Sequence, residues 1–201
     1  MKPHHISATL LLAAQGFAYA AAPCPQYQAD LLEMSNKHQA AFESIRTYSS
    51  LQAGIEALQT VDRRNAEKLG SLLNTCGWPR LSVEGTRAVA SAFAIARLSV
   101  HDLPFQKRVL ALLESAALIG EASTLQFAYL SDQVAVQEGR AQAYGTQLVP
   151  LQACKFDYAP LDERSKVEAR RRDLRLQPLD DFLTMVNDSA ASNGCSSPAA
   201  P

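Results

Sequence analysis

Apolar side chains recur at three- and four-residue steps along much of the chain, and this spacing constrains the fold more than any other feature. The clearest stripe of an amphipathic helix carries Tyr27, Leu31, Met34, His38, Phe42 and Ile45. Hydrophobic residues make up 47% of the 201 residues and charged residues 19%, which is enough apolar material for a core. The sequence therefore predicts a folded, mainly α protein.

Glycine and proline divide the rest of the chain into further helical segments. Residues 62–76 place leucines on one side of a helix and charged side chains on the other, and Gly77 and Pro79 then provide a carboxyl-terminal stop. Trp78 lies in that corner, where a large ring most often packs over the helices that it joins. Further helices are predicted over residues 82–96, 104–120, 121–137, 161–178 and 178–186.

The composition changes over residues 144–158, where β-favouring side chains predict a small hairpin. The predicted fold is one mainly α, helical domain with a small β-hairpin near residues 144–158. Along the chain we expect a signal peptide at residues 1–22, an N-terminal helical segment at 23–60, the helical domain with its hairpin at 61–186, and a disordered tail at 187–201.

The amino terminus has the features of a secretory signal peptide: a basic Lys2, an apolar stretch over residues 6–20 and small residues before the cleavage point. Cleavage after Ala20 and cleavage after Ala22 fit this pattern equally well. The apolar stretch is shorter than the roughly 20 residues that span a bilayer, and no second stretch of that length follows. We therefore expect a periplasmic or secreted protein without a membrane span.

Four cysteines follow the predicted signal peptide: Cys24, Cys76, Cys154 and Cys195. An even number of widely spaced cysteines in an exported chain predicts disulfides, whereas a zinc site would need closer ligands. Three pairings are open. We favour Cys24 with Cys76 and Cys154 with Cys195, because each bond would tie one end of the chain to the body. No metal site and no cofactor are predicted.

The charge balance restricts the partners. Nineteen basic and 20 acidic residues give a formal net charge of −1, so neither nucleic acid nor an acidic lipid surface is expected to bind. Glycine-rich phosphate loops and dinucleotide fingerprints are absent from the sequence. The expected partner is an envelope protein or a cell-wall-derived ligand.

Two histidines, His38 and His101, follow the predicted signal peptide, and no G-x-S-x-G turn accompanies either of them. His38 lies on the apolar stripe and is interpreted as a residue at the edge of the core. His101 and Asp102 directly precede a predicted helix, which Asp102 can cap. Alternatively, His101 faces the polar residues 142–147 across a cleft, and His101 and Asp132 are then the candidate catalytic residues.

A polar cluster is predicted around the hairpin. Its uncharged side chains suit sugar, amide or peptide recognition, and the candidate ligand-binding residues are Gln142, Tyr144, Thr146 and Gln147. The alternative is a buried network with Asp132, since polar groups that leave water need hydrogen-bond partners. The consecutive cations at residues 170–172 are interpreted as a solvated helix face with one arginine in an internal ion pair.

Several short motifs stand out: Asp62, Asn65, Gly77-Trp78-Pro79, Phe105-Gln106, residues 128–132 and 139–147, Asp162-Glu163-Arg164, Arg170-Arg171 and Pro178-Leu179. Together they resemble a bacterial family known as domain of unknown function 6624. The resemblance covers residues 61–183 and is most specific over residues 142–147. It implies a compact, mainly helical domain whose biochemical function is unassigned.

The chain departs from that family pattern at two places. A Gln-His pair of the family falls on Arg97-Leu98, and an arginine of the family falls on Gln133. If that histidine and that arginine serve as general base and anion clamp in other members, this chain would be catalytically weakened or would only bind.

Two functions follow as hypotheses. The favoured one is an interaction module that recognises a protein or a cell-wall-derived partner through residues 144–147. The alternative is a hydrolase acting on a polar envelope substrate, with His101 assisted by Asp102 or Asp132.

Overall fold

The computed structural model describes residues 24–151 and 155–192. In chain order these ranges contain α1 (Tyr27–Ser44), a short 3-10 helix (Ile45–Thr47), α2 (Leu51–Cys76), α3 (Gly85–Leu98), α4 (Leu103–Leu118), α5 (Thr124–Gln137), β1 (Leu148–Pro150), β2 (Phe156–Tyr158), α6 (Arg164–Asp173) and α7 (Leu179–Ser192). The prediction of a mainly α domain with a small hairpin is confirmed. None of the described helices is long and apolar enough to cross a membrane.

Helix α2 is longer than the sequence pattern predicted. It begins at Leu51 rather than near residue 62, and the hydroxyl of Ser50 caps it by accepting the Ala53 amide at 3.1 Å. The segment boundary placed between residues 60 and 61 therefore falls inside a continuous helix. Gly54 permits this arrangement, because a Cβ at that position would lie 2.5 Å from the carbonyl oxygen of Ile45.

Helices α1 to α5 form the helical body and share one apolar core. The buried members of this core are Tyr27, Leu31, Met34, Ala66, Leu69, Leu73, Trp78, Ala88, Val89, Ala92, Ile95, Ala96, Phe105, Val109, Leu113, Ala116, Ala122 and Leu130. Trp78 belongs to this set, as its position in the corner predicted. The Tyr27 hydroxyl donates to the carbonyl of Gly77 at 2.8 Å, and burial raises the pKa of Tyr27.

A disulfide joins Cys24 to Cys76 and so links the start of α1 to the end of α2. This half of the predicted pairing is confirmed. Cys154 and Cys195 lie outside the described residues, as do the predicted signal peptide and the end of the predicted tail. The last helix continues to Ser192, beyond the end predicted near residue 186.

Residues 142–192 form the carboxyl-terminal unit, which consists of the hairpin, α6 and α7. Strands β1 and β2 pair antiparallel, with Leu148 opposite Tyr158. Both ends of β2 are bonded to α7. The Tyr158 hydroxyl donates to the Leu179 carbonyl at 2.5 Å, and the Phe156 amide donates to Asn187 Oδ1 at 2.7 Å. Burial raises the pKa of Tyr158 to about 12.

Candidate functional site

Asp132, on α5, is the centre of a buried polar network. Its side chain is 0% exposed, and Oδ1 accepts the amides of Ala143 at 2.8 Å and Tyr144 at 3.0 Å. Oδ2 accepts the amide of Thr146 at 2.8 Å and its hydroxyl at 2.9 Å. Burial raises the pKa of Asp132, and the four hydrogen bonds oppose that rise. Both carboxylate oxygens are committed to holding the segment that leads into the hairpin.

Gln142 fixes the same segment by hydrogen bonds to Gln147 and Ala159. Its amide nitrogen donates to the carbonyls of Gln147 and Ala159, both at 2.9 Å, and its Oε1 accepts the Gln147 amide at 2.6 Å. Gln147 in turn donates from Nε2 to the Tyr129 carbonyl at 3.2 Å. The side-chain amides of Gln142 and Gln147 therefore bond within the chain, as the alternative interpretation of this cluster proposed.

Tyr144 differs from its neighbours. Its ring meets Phe127 edge-on at a centroid distance of 5.8 Å, and the side chain is partly exposed. Burial, with the nearby Asp132 carboxylate, raises the pKa of the Tyr144 phenol. Of the four predicted ligand-binding residues, Tyr144 is the one whose side-chain polar group has no hydrogen-bond partner among the described residues.

Arg171, on α6, connects the same segment to the turn before α7. It is 3% exposed; Nη1 donates to the carbonyls of Tyr144 at 2.6 Å and Gly145 at 3.3 Å, and Nε donates to Gln177 at 2.5 Å. The guanidinium lies over the Phe182 ring at 5.1 Å. Burial lowers the pKa of Arg171.

Arg171 has no carboxylate within 4 Å among the described residues, although many of the exposed cations do. Its neighbour Arg170 pairs with Asp162 at 2.8 Å, but both side chains are more than a third exposed. The expectation of one arginine in an internal ion pair is therefore wrong: the buried arginine is Arg171, and it has no such partner among the described residues. Removing a cation from water without a paired anion is costly, so Arg171 is electrostatically unusual within this fold.

A cavity of about 590 Å³ opens beside Arg171, between the start of α5, the α6–α7 turn and α7. The residues that line it are Thr124, Leu125, Thr146, Arg171, Asp173, Leu174, Arg175, Leu176, Gln177, Phe182 and Met185. Its volume lies within the range of roughly 300–1,000 Å³ that is typical of small-molecule sites. We call it the Arg171 cavity.

His101 lies elsewhere. It is exposed and lines an open groove of about 700 Å³ between α2 and the start of α4, together with Asp102, Ser71 and Arg108. None of residues 142–147 lines this groove. Asp102 caps α4, as predicted, by accepting the Phe105 amide at 2.9 Å. The groove thus brings His101 together with Asp102 and not with the buried Asp132.

His38 has a partner that the sequence did not reveal. Its Nδ1 lies 2.6 Å from Oδ1 of Asp62, and both side chains are largely buried. The neighbouring motif residue Asn65 donates to the Met34 carbonyl at 3.0 Å. Asp62 and Asn65 therefore hold α1 against α2, which agrees with the structural interpretation of His38.

The two places at which the sequence was expected to depart from the family pattern are adjacent in space. The Gln133 side-chain amide donates to the carbonyl of Arg97 at 2.8 Å, next to Leu98. Gln106 donates to the carbonyls of Ala96 at 2.9 Å and Arg97 at 3.3 Å. In this chain the side-chain amides of Gln133 and Gln106 thus hold the end of α3.

The described residues hold no cluster of three or more histidine, cysteine, aspartate or glutamate side chains arranged to bind a metal. Comparison with known proteins finds no match among curated proteins and none among solved structures. One family model matches, over residues 25–193, and its description is a family of unknown function, DUF6624. Because that match spans most of the chain, the protein belongs to the DUF6624 family.

Proposed function

We propose that the protein is exported and acts as a binding module that holds a small organic anion from the cell envelope in the Arg171 cavity. The observation that carries the proposal is a guanidinium, 3% exposed and without a carboxylate partner in the described chain, at the wall of a cavity of ligand size. An anionic ligand would supply the missing opposite charge.

The donor geometry supports this assignment. Nε and Nη1 of Arg171 are used by backbone carbonyls, whereas Nη2 has no acceptor among the described residues. The bonded atoms fix the plane of the guanidinium, and the Phe182 ring supports one face of it. A cation held in this way loses little side-chain entropy when it donates to a ligand, which favours binding.

The proposal keeps the predicted recognition region but changes which groups make contact. Gly145 and Thr146 form part of the segment that Arg171 holds, and Thr146 also lines the cavity. Gln142 and Gln147 would position that segment rather than touch the ligand. Export is supported by the amino-terminal pattern and by the Cys24–Cys76 disulfide, a bond typical of oxidising compartments.

The test is retention of a native ligand. Protein purified from the bacterial envelope would be denatured and the released small molecules identified by mass spectrometry, for the natural chain, Arg171→Gln and Arg172→Gln. Arg172 is the matched control, because it is the exposed neighbour on the same helix. We expect the natural chain and Arg172→Gln to release the same anion and Arg171→Gln to release none. Equal retention by all three proteins would contradict the proposal.

A hydrolase remains the second candidate, because His101, Asp102 and Ser71 line one groove. Asp102 is already engaged as a helix cap, and the Ser71 hydroxyl donates to the Glu67 carbonyl at 3.2 Å. Turnover of an envelope-derived ester or amide by the natural chain, abolished by His101→Ala with the circular dichroism spectrum unchanged, would favour this candidate over the binding module.

A further inference from the structure

The Arg171 cavity combines charged side chains with a large apolar lining. The apolar lining consists of Leu125, Leu174, Leu176, Phe182 and Met185. Leu125 is 49% exposed and Met185 is 48% exposed, although α5 buries several other side chains and α7 buries Leu179. Exposed apolar groups concentrated around a concave site mark surfaces that bind an apolar partner.

We propose that the ligand is an amphipathic monocarboxylate, an alkyl chain with one acidic head, whose carboxylate meets Arg171 and whose chain lies over Leu125 and Met185. This inference rests on the proposed function and specifies its ligand. The carboxylate head would accept a hydrogen bond from Nη2 of Arg171, the nitrogen that has no acceptor among the described residues. The chain would cover the apolar lining and remove it from water.

The surrounding charges favour a ligand with a single negative charge. Asp132 and Glu168 lie close enough to act on Arg171 electrostatically, and Asp173 lines the cavity itself. Arg175, on the rim, is the other cation of the lining. A phosphate or a dicarboxylate would place a second negative charge near these carboxylates, and their repulsion favours a monocarboxylate.

Binding of a chain-length series tests the apolar part of this inference. Hexanoate, octanoate, decanoate, 1-octanol and inorganic phosphate would be titrated into the natural chain by isothermal titration calorimetry. We expect Kd to fall about tenfold for each pair of added methylenes, which is the effect of burying them. We also expect octanol and phosphate to bind at least tenfold more weakly than octanoate. Affinity independent of chain length, or equal binding of octanol and octanoate, would overturn the inference.

Substitutions of the exposed lining residues Leu125 and Met185 test where the alkyl chain of the ligand lies, and they leave the buried polar network unchanged. Leu125→Glu and Met185→Glu are expected to weaken decanoate binding more than tenfold, because a carboxylate would replace the apolar contact. Leu118→Glu is the control, since Leu118 is 81% exposed and is not part of the cavity lining. Equal effects of all three substitutions would contradict the assignment of the chain to this cavity.

The inference and the proposed function can fail separately. A native anion that depends on Arg171 but lacks an alkyl chain, together with no binding of decanoate, would overturn the inference and leave the binding module standing. Retention of ligand that is insensitive to Arg171→Gln would overturn both. Decanoate binding that Arg171→Gln abolishes and Arg172→Gln leaves unchanged would support both.

Discussion

The helical body and the carboxyl-terminal unit bury different kinds of side chain. The body encloses a continuous apolar core drawn from all five of its helices. Among the described residues of the carboxyl-terminal unit, the buried apolar side chains are Ala159, Val167 and Leu179, and they are matched in number by the buried polar side chains Gln142, Thr146 and Arg171. Apolar burial therefore dominates the stability of the body, whereas hydrogen bonds determine the conformation of the unit.

This difference predicts different responses to substitution. Apolar cores tolerate exchanges that conserve volume, because burial is not directional. A buried polar network does not, because the loss of one partner leaves another group unsatisfied and without water. The body should consequently lose stability as a whole, while the unit can open locally, and hydrogen exchange measured region by region separates the two cases.

The largest expected effect comes from the disulfide of the helical body. The Cys24→Ser, Cys76→Ser double variant releases a constraint across 52 residues, and the chain-entropy model gives a loss of about 4 kcal/mol. We expect urea unfolding to show this loss, with exchange protection reduced throughout the body. A loss below about 1 kcal/mol would mean that residual structure restricts the unfolded double variant as much as the disulfide restricts the unfolded natural chain.

The next largest effect is expected at Gly145, in the carboxyl-terminal unit. Its φ is +65°, and a Cβ there would lie 2.6 Å from Leu179 Cδ2 and 3.1 Å from Leu161 Cδ2. Gly145→Ala combines backbone strain with a steric clash, and a loss of about 3 kcal/mol is expected. Amides of the unit should lose protection, and amides of the body should change little.

Gly139→Ala is the matched control for this substitution. Gly139 has a similar φ of +70°, but nothing lies within 4 Å of a Cβ built there. Its loss should be limited to the backbone cost of about 1 kcal/mol. Equal losses for the two variants would show that the packing of Leu179 on Gly145 contributes nothing.

The helical body was largely predictable from the sequence because apolar periodicity is a local signal. The stripe from Tyr27 to Ile45 corresponds to α1 and its 3-10 extension. Residues 23–60 were expected to be helical, but the continuity of α2 from Leu51 to Cys76 was missed, because Gly54 lowers the helix propensity of its first half. The close approach of Ile45 to Gly54 is visible only in the folded structure. Apolar periodicity therefore predicts a helix correctly except where a tertiary contact, such as that of Ile45 with Gly54, determines its extent.

The site was predictable only in part, since its geometry depends on residues far apart in sequence. The polar residues 142–147 were identified, but their mutual hydrogen bonds and the bond of Asp132 to that segment are not encoded in any short spacing. Arg171 was missed for a related reason. Three consecutive arginines look equivalent along the chain, and only the packed structure shows that Arg171 is buried while Arg172 is exposed.

A smaller effect is expected from Asp132→Asn. This substitution tests whether the hydrogen bonds that Asp132 accepts, rather than the volume of its side chain, stabilise the unit. An amide keeps the volume of the side chain, but its NH₂ group cannot accept the amide and hydroxyl hydrogens that Thr146 donates to Oδ2. We expect a loss of about 2 kcal/mol, confined by hydrogen exchange to the unit and the end of α5. Asp181→Asn, at an exposed position of α7, should change stability by less than about 1 kcal/mol.

The smallest effect concerns pH, and here two carboxyls near the same segment act in opposite directions. The pKa of Asp132 is raised by burial. Its contribution to the free energy of unfolding is therefore fully present below the ordinary pKa of 3.8 and is lost as the pH rises through the folded-state pKa. The pKa of Asp162 is lowered, chiefly by its hydrogen bond from Arg170, so its contribution is present above 3.8 and is lost as the pH falls through the folded-state pKa.

Urea unfolding across the acid range would resolve these two signs. On acidification the stability difference between the natural chain and Asp162→Asn should shrink, while the difference between the natural chain and Asp132→Asn should grow. High salt should reduce the Asp162 difference, because that ion pair is more than a third exposed, and should leave the Asp132 difference nearly unchanged. If both differences changed in the same direction with pH, burial would not raise the pKa of Asp132. The buried polar network of the unit would then respond to pH in the same way as the ion pairs on its surface.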